Sequence, residues 1–201
     1  MRKKSHISLS RFLITNINKE ELTSHRKAFY FGSILPDCIP SFVTRRHTFD
    51  DTFHIVQKEI EKILEEHSLT DMIDARFCRK LGVVTHYIAD YFTFPHNKNY
   101  PGSLKDHCKY EKLLKHQLKE YVQRRDCCQY QMARDEESQF TTLEELFIYI
   151  EQIHNKYLMK LSEVKKDIVY IVETCVQVVD AILRLIEIQA KDKQLIPQTV
   201  L

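Results

Sequence analysis

The chain is poor in the residues that break helices and build turns: of 201 residues only 3 are glycine and 5 are proline, and tryptophan is absent. Alternating runs of β-branched residues are missing too. These absences exclude a sandwich or barrel of short strands, and they predict an all-α fold of about seven helices joined by few, short breaks. Cysteine occurs 6 times, at 38, 78, 108, 127, 128 and 175, with no Cys-x-x-Cys pair and no secreted-framework spacing. Reduced thiols in a cytoplasmic protein are the simplest account, with Cys38 and Cys108 read as buried and inert. An excess of charge is lacking as well. Lys plus Arg number 30 against 28 for Asp plus Glu, a formal charge of +2, so no nucleic-acid patch or membrane partner is indicated by the global field. The short runs RKK, TRRH and QRRD read as solvated surface.

Targeting segments are equally hard to find. The start, MRKKSHISLSRFLITNI, has a basic opening but no apolar run leading to a small-residue cleavage site. No signal peptide is therefore expected. No transmembrane segment is expected either, since the most apolar stretch, VKKDIVYIVETCVQVVDAILRLIEIQA, carries Asp167, Glu173, Asp180 and Arg184 and reads as a central buried helix. Repeats, low-complexity segments and linkers are absent. With 43% hydrophobic residues, residues 1–201 are expected to form a single domain with its own core.

What is present is helical periodicity. His6, Leu9 and Leu13 mark one face of a first helix, and Asn18 followed by Glu21 resembles a cap opening a second. FGSILPDCIPSF, with Gly32, Pro36 and Pro40, is expected to be an ordered, non-helical loop. Phe49, Phe53, Val56, Ile60 and Ile63 define a helix to about Glu66. Ile73, Phe77, Leu81, Val84 and Ile88 define another from about Thr70 to Phe92, after which Pro95 puts His96 just beyond its end. Further helices follow over about Leu104–Arg124, from Leu143 through Phe147, Ile150 and Tyr157 to Leu161, and along the apolar C-terminal stretch. A polar connection lies around Asp126 to Gln139.

Chemistry concentrates in the middle of the chain. His86 and Asp90 are four apart, so they leave one helix face a turn apart and can share a metal ion. His107 and Glu111 repeat that spacing, and Leu114 and Leu118 continue their face inward. Imidazole with carboxylate is a zinc-type donor set. A hydrogen-bonded buried pair accounts equally well for one His-x-x-x-Asp. Two such pairs on consecutive helices make metal the more economical reading, since unpartnered burial costs several kcal/mol. His25, His54, His67, His116 and His154 are assigned to structure.

His6, GSILPD with Asp37, His47, then His86, Asp90 and His96 as H-x3-D-x5-H, and His107 with Glu111, occur in the order of the zinc-dependent phospholipase C family. The chain resembles that family, which is related to the S1/P1 nucleases, over residues 6 to 111. The resemblance implies one zinc held by Asp37, His47, His86 and Asp90, and a second held by His96, His107 and Glu111. It also implies a third, bridged by Asp90 and bound by His6. In the family an N-terminal Trp completes that third position. This chain has none, so the MRKKS segment or water would replace it.

Clustered divalent ions suit phosphate esters, because they acidify bound water and neutralise phosphate oxygens during in-line displacement. Asp37 serves as ligand or as general base. Phe42, Phe92, Phe94 and Tyr100 are candidates to line a cleft or simply to pack. The expected activity is phospholipase C-like phosphodiester hydrolysis, leaving a phosphorylated headgroup. An S1/P1-like nuclease or nucleotide phosphatase, and a non-catalytic zinc-binding helical protein, are the alternatives.

Overall fold

The computed structural model describes residues 1–39, 46–124, 140–159 and 163–195. Pro40, Phe42, Cys127, Cys128, Leu161 and the connection from 126 to 139 lie outside the described residues. Within them the chain is all-α. Eight α-helices run in the order α1 (Lys3–Ile17), α2 (Glu20–Ser24), α3 (Arg26–Ile34), α4 (Phe49–Thr70), α5 (Ala75–Tyr91), α6 (Leu104–Arg124), α7 (Leu143–Leu158) and α8 (Val164–Leu195). Two 3-10 turns, Leu35–Asp37 and Phe94–His96, lie between them.

Local chemistry sets most of these boundaries. Thr48 caps α4, its hydroxyl accepting from Asp51 N at 3.3 Å, and Asp50 and Asp51 sit favourably in the first turn. Asp74 caps α5 by accepting from Phe77 N at 2.8 Å. At α7, Thr142 and Glu145 form a reciprocal capping box. The helix expected to begin near Thr70 therefore begins at Ala75, because Asp71 adopts a left-handed conformation that ends α4, and Ile73 falls in the connection.

Three other expectations are corrected. Asn18 does not open the second helix; at φ 51° it closes α1, its N–H donating to Ile14 O. The second helix is two, broken at His25, whose φ of −101° and ψ of 20° leave the helical path. The segment around Gly32 is helical as far as Ile34. Gly32 is there for close approach: a Cβ on it would stand 2.0 Å from Arg79 O of α5, and one on Gly82 would stand 2.3 Å from Phe29 O. The two glycines let α3 and α5 pack backbone to backbone, and Pro36 is tolerated in the first turn of the following 3-10 segment.

At the centre, α8 packs against α1, α4, α5, α6 and α7. Its Ile171, Val172, Ile182 and Ile186 join Leu81, Val84 and Ile88 of α5 in one contiguous core. Each such side chain contributes roughly 1.5–3 kcal/mol by burial. Asp167, which as a charge would be expected to face solvent, is fully buried. The exposed cysteines are Cys38 and Cys108, contrary to expectation, whereas Cys78 and Cys175 are buried. Cys108 lies about 100° around α6 from His107, off the inward face. No helix of the described residues is long and apolar enough to cross a membrane.

Candidate metal centre

His86 and Asp90 leave the inner face of α5 and are fully buried. Two features orient His86. Its Nδ1 stands 2.8 Å from Ser33 O, a carbonyl near the end of α3 to which Pro36 has no N–H to offer. Nδ1–H therefore donates to Ser33, and Nε2 is left with its lone pair facing inward. That approach depends on the glycine crossing, since Gly82 lies one turn before His86.

Around Nε2 the other donors gather. His47 Nδ1 lies 3.1 Å from it, Asp90 Oδ2 3.3 Å and Asp37 Oδ1 3.8 Å, while His47 and Asp90 are 3.0 Å apart. Tetrahedral zinc with bonds near 2.1 Å sets its donors roughly 3.4 Å from one another, so the spacing suits one ion. A second set forms on α6 and the turn before it. His107 Nε2 and His96 Nε2 stand 3.1 Å and 3.4 Å from Glu111 Oε1. Three groupings, His6 with Asp37 and His86, His47 with His86 and Asp90, and His96 with His107 and Glu111, each bring their donor atoms within 4.8 Å. All eight residues singled out in the sequence thus converge on one place.

Asp90 is the hub. Its Oδ2 faces His47, His86 and His96, and its Oδ1 lies 3.4 Å from His6 Nε2. Burial would raise its pKa, but electrostatic interaction with His96, the Met1 ammonium and His86, with the hydrogen bond from His47, holds it well below the ordinary carboxylate range. Glu111 is likewise held at about 2: burial opposes ionisation, but the His96 hydrogen bond and the Met1 charge outweigh it. The Met1 ammonium contacts Asp90 Oδ1 and lies 3.5 Å from Glu111 Oε1. Burial disfavours its charge, yet these carboxylates raise its pKa. A buried site that recruits an ammonium is a site that favours cations.

His6 provides the most direct test of fit. Burial and the nearby His86 push it down to about 3, so it is neutral at pH 7. Its Nε2 is buried without a hydrogen-bond partner, Asp90 Oδ1 at 3.4 Å not being placed to bond it. A neutral imidazole whose Nε2 has no hydrogen-bond partner beside a carboxylate offers the donor set a divalent ion takes.

Asp167 of α8 supports the second set from behind. Its Oδ2 accepts from Phe94 N at 2.8 Å and from the Tyr110 hydroxyl at 2.7 Å, and its Oδ1 accepts from Tyr157 at 2.9 Å. It thereby joins the turn carrying His96 to the residue preceding Glu111. Burial outweighs these bonds and raises its pKa. Asn97 adds a second brace: its amide donates to Tyr91 O and Thr93 O, and its Oδ1 accepts from His154 Nε2 at 3.1 Å. The sequence offered one signal for Asp167, an acid inside an otherwise apolar helix, and none for Ser33 or Asn97.

The donors open onto a cleft of about 780 Å³. Asp37, His47, His96 and His107 line it, Arg46 adds positive charge, Lys98 is paired with Asp50 at 2.6 Å, and Tyr100 and Leu104 form part of the wall. Of the aromatic candidates, Phe92 is core and Phe94 packs edge-on against Tyr100.

The model of the zinc-dependent phospholipase C family matches residues 5–163, and the chain belongs to that family. No curated protein and no solved structure matches it. Membership of that family supports a zinc-dependent hydrolase, and the His, Asp and Glu groups just described could hold such an ion.

Proposed function

We propose that residues 1–201 form a single-domain phosphodiesterase that cleaves a phospholipid, or a related phosphate ester, on the glycerol side and releases the phosphorylated headgroup. The observation that carries this reading is that members of both donor sets, Asp37 and His47 of the inner and His96 and His107 of the outer, line an open cleft. A structural metal site would be closed on all sides by protein.

Asp37, His47, His86 and Asp90 would hold one zinc, and His96, His107 and Glu111 a second. A third at His6 and Asp90 would compete with the Met1 ammonium for Asp90 Oδ1. Bound there, zinc would acidify water and neutralise phosphate oxygens. The chain's own groups do the rest. Asp37, 23% exposed at the cleft wall, can accept the proton of the attacking water as well as ligate. Arg46 is exposed at the cleft and is placed to meet a phosphate oxygen, while Tyr100 and Leu104 offer apolar contact to the rest of the substrate. The thiols at Cys38, Cys78, Cys108 and Cys175 are unpaired, which suits a cytoplasmic setting.

Product analysis tests the proposal. Zinc-loaded protein incubated with phosphatidylcholine vesicles should release phosphocholine, and a chelated control should not. Release of 5′-nucleotides from single-stranded DNA, with no phosphocholine, would instead assign the site to nuclease chemistry. Bound zinc with neither product would favour the non-catalytic alternative.

A further inference from the structure

On the outside of the molecule α1 and α6 lie side by side and enclose a groove of about 480 Å³. Lys3, Lys4 and Arg11 line it from α1, and Lys115 and Lys119 from α6, with His116 beside them. No carboxylate lines the groove, and among the described residues none of these five cations forms an ion pair. Arg2, the other member of the RKK run, is turned away: its Nη2 donates to Cys108 O at 2.9 Å, and its Nε faces Glu111 Oε2 at 3.9 Å. Folding thus concentrates five cations, none of them ion-paired among the described residues, in a chain whose formal net charge is only +2.

Such a concentration repels itself unless an anionic surface meets it. Four of the five are lysines, compact charges on long stems that suit a field of separate headgroups better than one planar, bidentate anion. The His116 imidazole is the one aromatic ring among the residues lining the groove, so there is no row of rings on which successive bases could stack. The same helix carries an apolar side chain into solvent on the groove side, eleven residues before Lys115: Leu104 is 78% exposed at the cleft wall. From Leu104 to Lys115 is roughly 16 Å along α6, so a surface resting on the groove also reaches the edge of the cleft.

We propose that the α1–α6 groove is a docking surface for the anionic headgroups of a phospholipid bilayer, which holds the cleft at its lipid substrate. This rests on the phospholipid reading of the site, but its five cations lie outside that site, and the two can fail separately. The test is cosedimentation of the zinc-loaded full chain with vesicles of phosphatidylcholine alone and with added phosphatidylserine, at contact times too short for headgroup release.

A lysine at an anionic membrane surface contributes roughly a fivefold gain in partition. The double variant Lys115→Glu, Lys119→Glu should therefore bind phosphatidylserine vesicles at least about 25-fold more weakly. The control double variant Lys27→Glu, Lys58→Glu has the same net charge and should keep its binding. Added salt should release the wild type. Absence of binding to the anionic vesicles, equal loss in both double variants, or binding to DNA in place of vesicles would each overturn the proposal. Hydrolysis of a soluble short-chain phosphodiester, measured in parallel, separates the two readings. Turnover without vesicle binding removes the docking surface alone, and vesicle binding without turnover removes the hydrolase reading alone.

Discussion

The inner donor set on α5 and the outer set on α6 use the same i,i+4 device but meet solvent differently. The His86 and Asp90 side chains are 0% exposed, whereas His107 and Glu111 retain 28% and 14%. Their supports differ accordingly. The inner pair is oriented by a backbone carbonyl brought close by two glycines, and the outer by Asp167 and by the Asn97–His154 brace. A fully buried donor without a partner is costly, so the inner set ties ion binding to the integrity of the fold. A set at the cleft edge can exchange with water and substrate at little cost to the core.

The sharpest way to break this comparison is at Asp90, the member of the inner set that also faces His6 and His96. Asp90→Asn should lower zinc content by more than one ion and activity by more than about 100-fold, whereas Glu111→Gln should empty the outer position alone. Equal zinc content in wild type and Asp90→Asn, by metal analysis, would refute the hub. Next in size, Gly82→Ala places a methyl against Phe29 O and Ser33 N. It should cost about 1–3 kcal/mol in denaturant unfolding and weaken the inner set through Ser33.

Asp167→Asn should cost about 1.5–3 kcal/mol and weaken zinc at the outer set by about 10-fold or more, leaving the inner set intact. A uniform loss from both sets, followed by calorimetric zinc titration, would contradict that division. The smallest effect concerns pH. Burial lowers His154 from 6.5 to about 4, so the unfolded chain binds a proton between those values and the folded chain does not. Stability from this residue is therefore full above pH 6.5 and falls as pH drops toward 4. His154→Gln should flatten that part of the pH profile of thermal unfolding.

Much of the outer set's chemistry was legible in the sequence, because His107, Glu111, Leu114 and Leu118 obey a local period. The boundaries of α4 and α5 were read a few residues off, since Asp71 and Asp74 act through their backbone angle and cap bond, neither of which shows in apolar spacing. Asn18 was read as the start of a helix where it ends one, the same residue type serving both roles. Cys38 and Cys108 stand next to donors in sequence yet are exposed, because Cys38 is the turn residue that follows Leu35–Asp37 and Cys108 lies on a different face of α6 from His107.

By itself the amino-acid sequence determined the all-α class, the approximate helices and the two pairs of donors that share a helix face, because these follow from distances of a few residues along a regular backbone. Only the tertiary structure decided which donors meet across helices, that Ser33 orients His86, that Asp167 turns inward, and that cations from α1 and α6 share a groove. Those relations join residues far apart in the chain, and their energies come from burial and close approach, which exist only once the helices have packed.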